Sequence, residues 1–402
     1  MINIKQAGGF RDERTFYAFE GLEPFDYNGS TYYRPILGQQ IGPVDNSQGD
    51  GTVGDLRGEV DADIKTVHQD EAILGFQSMI DDKWSWGVRG TYRRLTHAID
   101  DMELTSNGII CDGEPGYIGY IMGNPGENAT VYTDTDCDGT PDGYVTIDTS
   151  RAGWAMYDDD GNYVGEHGWV KPRRTYKALD LQIDRAWDGK WAFNASYTLS
   201  FSQGNAEGPV NSDTGFSDTG RTENFDDPWV NYEGYGFLPN DRRHQLKLRG
   251  IYGITEHWQL GGTLTALSGR PVSAFGVGNP FDGTNYHSNY ICVDRCTYYT
   301  DPDTGEHIDY PPSQRVYAHS QRGAGGRLPW TYDVGASITW LRSFGSTNVR
   351  VKLAVYNLLN QQRVTSVDEE LESDIGFLNP TWRQGTGYQS PRYAQLTVSA
   401  DF

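Results

Sequence analysis

The chain has 402 residues with 49 Gly, aromatics at 13%, a mean hydropathy of −0.63, and 33 basic against 55 acidic residues, a formal net charge of −22. That charge excludes the basic footprint of a nucleic-acid binder, and 26 Tyr, 15 Phe and 11 Trp exclude a disordered polyelectrolyte. No stretch nears the roughly 20 apolar residues of a membrane-spanning helix, and Met1-Ile-Asn-Ile-Lys5 lacks the basic head and apolar run of a secretory leader, so the averages alone describe a soluble acidic protein.

Residues 1–64 are rich in Gly, Pro and Asp and read as one region, a connecting loop with a remnant strand near Thr15–Phe19. From 65 to 402 a different pattern governs. In 191–201, Trp191, Phe193, Ala195, Tyr197, Leu199 and Phe201 alternate with Ala192, Asn194, Ser196, Thr198 and Ser200. Strict period two is a strand with unlike environments on its faces. The pattern predicts nine strands, at about 65–79, 84–102, 173–187, 190–203, 242–253, 258–269, 329–341, 347–357 and 391–402. Asp81–Lys83, Asp188–Gly189, Ile254–His257 and Arg342–Ser346 make tight turns, and the alternate connections run to tens of residues. Short turns at one end and long loops at the other are the layout of a transmembrane β-barrel.

The loop from about 103 to 172 holds 13 carboxylates between Glu103 and Val170 against one cation, Arg151, a net −12. Its bland role is solubility, and the sharper one is binding a cation or a basic ligand. Within it Asp134, Asp136, Asp138 and Asp142 occupy the first, third, fifth and ninth positions of an oxygen-ligand calcium loop with Gly139 at the tight turn, but Val145 stands where a twelfth-position acid belongs. The expectation is a structural Ca²⁺ brace, weighed against an unliganded acidic turn, with no other cofactor required. All four Cys fall in long loops. Local disulfides are expected, Cys111 with Cys137 and Cys292 with Cys296, in preference to a zinc site whose halves would lie in different loops. No nucleophile elbow, phosphate loop or zinc-protease motif occurs, so no enzyme activity is expected. The loop aromatics Trp154, Tyr157, Tyr163, Trp169, Trp229, Tyr232 and Tyr235 could stack on a solute or pack the loops together, and the second reading is favoured for each.

Tryptophans separate a membrane wall from a soluble sandwich. Trp84, Trp187, Trp191, Trp258 and Trp340 all lie near short turns on the apolar side, predicting one ring at one bilayer interface, with Tyr92, Tyr176, Phe201 and Tyr332 as an outer girdle. Arg89, Arg93, Asp180, Asp184, Lys247, Arg249, Arg350 and Lys352 then face a lumen, as cross-strand pairs or as a ligand path.

The last strand, Tyr393-Ala-Gln-Leu-Thr-Val-Ser-Ala-Asp-Phe402, ends on an aromatic and resembles the insertion signal of bacterial outer-membrane proteins. Val355-Tyr-Asn-Leu-Leu-Asn360, Leu267-Ser-Gly-Arg-Pro271 and Gln389-Ser-Pro-Arg-Tyr393 resemble elements of TonB-dependent receptors, and Gln69-Asp-Glu-Ala-Ile-Leu-Gly-Phe-Gln77 resembles their Oar-like branch. Leu359 departs from the usual Phe. The resemblance covers the chain from about residue 65 and implies the C-terminal part, about nine strands, of a 22-stranded antiparallel transmembrane β-barrel with long extracellular loops. It implies a bacterial outer-membrane location, barrel-insertion machinery that reads Phe402, membrane lipid, the TonB system and an unknown extracellular solute as partners, and uptake of that scarce solute. Neither plug nor TonB-contacting box is found, so a fragment of a longer receptor is expected. Counted back from the final strand, the first strand should end in a short turn, as Asp81–Lys83 provides. A surface adhesion protein anchored by the same wall and a soluble carbohydrate-binding β-protein remain the alternatives.

Overall fold

The structure is a computed structural model that describes residues 15–27, 30–41, 57–158, 160–215, 222–281, 283–302 and 304–402. Nine strands pair in chain order into one antiparallel sheet: β1 His68–Met79, β2 Trp84–His97, β3 Arg174–Arg185, β4 Trp191–Gly204, β5 His244–Gly253, β6 Trp258–Leu267, β7 Thr331–Phe344, β8 Thr347–Tyr356 and β9 Tyr393–Asp401. A two-residue strand, Gly236–Phe237, adds to the end of β4. Within the sheet, β1 and β9 pair on one side only.

Register gives the sheet two unlike faces. On one, Leu179 stands opposite Leu199, Leu248 opposite Leu264, Leu264 opposite Val334, and Leu353 between Ile338 and Leu396. On the other, Asp180 stands between Arg89 and Thr198, and Asn194 opposite Arg249. The apolar face is bare, with Leu74 83% and Leu396 67% exposed. Buried apolar residues cluster instead in the long connections, around Met102, Leu104, Ile121, Val131, Trp169 and Phe225 and around Val272, Leu328 and Val367. A soluble sandwich buries one face of each sheet as its core. This sheet leaves its greasy face for a solvent that is itself apolar, which is the arrangement of a membrane wall.

Carboxylates build two of the short turns. Asp81 Oδ1 accepts the N–H groups of Lys83 and Trp84, both at 2.8 Å, and Asp188 Oδ1 accepts those of Lys190 and Trp191 at 3.0 and 3.1 Å. Such Asx bonds close a turn locally. Two boundaries differ from expectation. The β7–β8 turn is only Gly345 and Ser346, because Gly345 adopts φ +61° and lets pairing run on to Phe344 opposite Thr347. β2 stops at His97, and Asp100–Leu104 forms a separate strand that pairs with Gly119–Gly123 in the following loop. The alternation continued past His97, but Asn124 Nδ2 bonds Ala98 O and the chain turns away there.

The chain divides into two compact units, Met1–Val60 and Asp61–Phe402. In the first, Tyr17–Tyr27 and Ser30–Gln40 form an antiparallel hairpin, which overlaps the expected strand near Thr15–Phe19 from Tyr17 onward. Residues 61–64, expected with the first region, bond into the second: Asp61 N–H to Met122 O and Ala62 N–H to Thr130 O.

Lipid facing predicts asymmetry between the two sides. In the complete protein folded into vesicles, Leu353→Lys is expected to cost about 2–4 kcal/mol in urea titrations, whereas Gln395→Lys on the polar face stays within about 1 kcal/mol. Equal costs would contradict the assignment of faces.

Candidate functional site

Four of the five predicted ring tryptophans sit on the apolar face. Trp84, Trp191 and Trp258 begin β2, β4 and β6, and Trp340 pairs with Trp258. The Trp84 and Trp191 rings meet edge to face at 5.7 Å, and the Arg185 guanidinium stacks 3.8 Å from the Trp191 centroid. Trp187 lies exposed in the β3–β4 turn, against Gly253, where an added Cβ would come within 3.2 Å of its ring. At the opposite end, Tyr92, Phe201 and Tyr332 lie exposed on the apolar face. Tyr176 does not join them. Its parity is that of Asp180, so its ring lies on the polar face beneath the Arg93 guanidinium at 5.6 Å. Phe402, beyond the last paired residue of β9, is 97% exposed.

The loop after β2 folds into a lobe with its own core. Four antiparallel strand pairs build it among the described residues: Asp100–Leu104 with Gly119–Gly123, Ile110–Cys111 with Glu114–Pro115, Asn128–Thr133 with Gly143–Asp148, and Trp154–Tyr157 with Tyr163–His167. One carboxylate ties the lobe to the wall. Glu127 bonds Lys65 Nζ, His97 Nδ1 and Lys171 Nζ, each at 2.6 Å, and these lie where β1, β2 and β3 emerge. Burial opposes its charge, but the bonds from Lys171, Lys65 and His97 outweigh burial and hold the carboxyl down at about 2. Where the loop before β5 meets the lobe, Glu103 N–H bonding Asp226 O, carboxylates crowd without such relief. Burial, and then the charge of Asp101, pushes Asp226 up to about 8.

In the acidic turn, Asp134 Oδ1 accepts the N–H groups of Asp136, Cys137 and Asp138, and its Oδ2 accepts that of Gly139 at 2.7 Å. The Gly139 amide leads in holding Asp134 below the usual carboxylate range, while the charge of Asp138 pushes Asp136 up. One oxygen from each of Asp134, Asp136 and Asp138 falls within 4.8 Å of the others, a hard-oxygen set of the kind Ca²⁺ takes. Asp142 does not join this group, because its Oδ1 accepts the N–H and Oγ1 of Thr135 at 2.8 and 2.7 Å. Val145 packs against the lobe core, and Asp148 is engaged by Ser150. The chain joins Cys111 to Cys137 and Cys292 to Cys296, each with Cα atoms 5.7 Å apart.

No protein-family model matches the chain. The TonB-dependent transporter Oar of Myxococcus xanthus is 26% identical over 326 residues, 79% of this chain and 23% of that protein. The chain is thus similar in sequence to a TonB-dependent transporter. It therefore spans less than a quarter of the curated relative's length. Among solved structures, the outer membrane transporter YddB of Escherichia coli superposes with a TM-score of 0.40 at 11% identity, over 84% of this chain and 33% of that one. The copper transporter OprC gives 0.35 at 9% identity, over 85% and 33%. The Myxococcus xanthus relative is a transporter, not an enzyme.

Several struts in the long loops carry no local sequence signal. Arg322, 3% exposed, clamps Asp213 through two 2.8 Å bonds and also donates to Asn205 O and Asn211 Oδ1. Arg270 pairs with buried Glu369, and Glu372 accepts the N–H groups of Val277, Cys292 and Gly376, each at 3.1 Å. Apart from Gly376, four residues from Glu372, the partners lie 80 to 117 residues apart, so no local spacing announces them. Trp169 and Trp229 are buried, with Trp229 stacked on Phe281 at 4.4 Å, so these loop aromatics hold loops together.

The Glu127 tie has a defined pH dependence. A carboxyl held below its ordinary value contributes fully above about pH 4.5, and that contribution fades as the pH falls toward 2. Glu127→Gln is expected to hasten proteolysis of the lobe at pH 6, with the difference from wild type disappearing as acid-stable protease assays descend from pH 4.5 to 2. A constant difference across that range would count against the tie.

Proposed function

We propose that the chain is the C-terminal part, about nine of 22 strands, of the barrel of an outer-membrane TonB-dependent receptor that takes up a scarce extracellular solute. The bare apolar face bounded by aromatic rims carries the reading, supported by relation to a TonB-dependent transporter. Among the described residues, β1 and β9 each pair on one side only, and an open edge in hydrocarbon strands its backbone donors and acceptors, so further strands have to complete the wall. Tight turns mark the periplasmic end. The lobe and the loops before β5, β7 and β9 form the extracellular end, where the solute is first met.

The proposed partners follow from this placement. Lipid contacts the Trp84, Trp191, Trp258 and Trp340 face, with Trp187 at its rim. Insertion machinery reads the β9 end through Phe402. The TonB system acts on the complete receptor, not on this portion alone. A Ca²⁺ ion held by Asp134, Asp136 and Asp138 would brace the lobe tip beside the Cys111–Cys137 disulfide, and it takes no part in transport chemistry.

Expression of the complete gene in an outer-membrane host tests the reading. The expected protein extracts only with detergent, shifts in migration on heating, and supports solute uptake that stops when TonB is deleted. Extraction without detergent would favour the soluble alternative, and surface attachment without uptake would favour the adhesion alternative. Phe402→Ala is expected to reduce the heat-modifiable fraction several-fold. For the brace, 1 mM CaCl₂ should raise the resistance of the lobe to protease relative to chelator, with Asp136→Asn removing the difference. No calcium effect in the wild type would remove the ion from the proposal.

A further inference from the structure

We propose that the polar face of the sheet carries an anion-binding groove between β5 and β8, suited to a solute bearing carboxylate or phosphate oxygens. This deepens the uptake reading and rests on it.

Cations on this face are of two kinds. Toward β1 and β3 they are neutralised, Arg89 by Asp180 at 3.0 Å and Arg93 by Glu71. Across β5 and β8 four more are exposed on the same face, Lys247, Arg249, Arg350 and Lys352, and among the described residues no side-chain hydrogen bond or ion pair engages them. Cations left unpaired on a wall whose other cations are paired are free for an external anion.

The strip between them is built to be low and rich in donors. β6 and β7 place Gly261 opposite Ser337 and Thr263 opposite Gly335. A Cβ on Gly261 would lie 2.6 Å from Ser337 Oγ, and one on Gly335 2.5 Å from Thr263 Oγ1, so glycine at both positions leaves those hydroxyls room to face the lumen. A cavity of about 400 Å³ opens here, lined by Asn194, Arg249, Gln259, Thr263, Ser337 and Lys352 among others. That volume suits a small solute. Hydroxyls and amides can donate to oxygen, and guanidinium and ammonium groups can only donate, so the groove matches a group with several acceptor oxygens and opposes a cation. Asp184 lies at its margin, but its oxygens take Asn194 Nδ2 and Gln182 Nε2 at 2.5 and 2.6 Å. Asp333 stands one pair further along, opposite Thr265.

Calorimetric titration of the complete protein in detergent with inorganic pyrophosphate tests the groove, with a neutral polyol of similar size as the control. Saturable binding is expected that weakens at least tenfold in Arg249→Gln and in Lys352→Gln, weakens with added salt, and is unchanged in Lys190→Gln at the turn end. Heat-modifiable migration verifies that each variant is folded. No saturable binding by folded protein, wild-type affinity in the two groove variants, or equal binding of the polyol would overturn the proposal. The two readings fail separately. Pyrophosphate binding that needs Arg249 and Lys352 in a protein without TonB-linked uptake overturns the uptake reading alone, whereas TonB-linked uptake with unaltered binding in the variants overturns the groove alone.

Discussion

In hydrocarbon a backbone N–H or C=O group has no water to turn to, so a chain that enters a bilayer as strands must pair every one of them with another strand. The nine-stranded ladder from β1 to β9 follows from that requirement, and so does the division of its side chains. Once the backbone is committed to an extended ladder, alternate residues must face opposite ways. Leu353 goes to one solvent and Lys352 to the other with no choice left in between. Among the described residues β1 and β9 each pair on one side only, and the same requirement makes those edges the places where a wall in lipid needs partners.

The core has moved accordingly. In a soluble β-protein the sheet's apolar face is the core, whereas here the sheet is bare and packing density is invested in the connections. Met102, Ile121, Val131 and Trp169 make the lobe a small folded body, and Glu127 fastens it where three strands emerge. Buried Arg322 and Glu372 do for the later loops what a hydrophobic core alone would do less specifically, fixing remote segments through directional bonds. The acidity that dominates the composition is concentrated on these exterior parts, while the polar face of β5 and β8 presents cations.

The wall was legible because period two is local and repeats. The pattern located all nine strands, the Asp81 and Asp188 turns, and the tryptophan row, since each depends on neighbours in sequence. Parity puts Tyr176 on the polar face despite its place at the strand end, and alternation outlasts the sheet beyond His97. The loops were legible only in part. Neighbouring cysteines in each loop could be matched, but the Arg322–Asp213 clamp joins residues with no shared periodicity, and the Val145 that stands in place of a twelfth-position acid packs against the lobe core. The candidate groove hides from sequence for the same reason: Arg249 and Lys352 share one site only after four strands have aligned in register.

The two-solvent wall is the claim on which everything else depends, and a nitroxide scan along β6, residues 258–267, in the complete protein reconstituted into lipid tests it most directly. Accessibility to oxygen, which dissolves in the bilayer, should peak at Leu260, Gly262 and Leu264, and accessibility to a water-soluble nickel chelate should peak at Gly261, Thr263 and Thr265. Absence of that opposed period-two pattern, with both reagents reaching every position alike, would contradict the account.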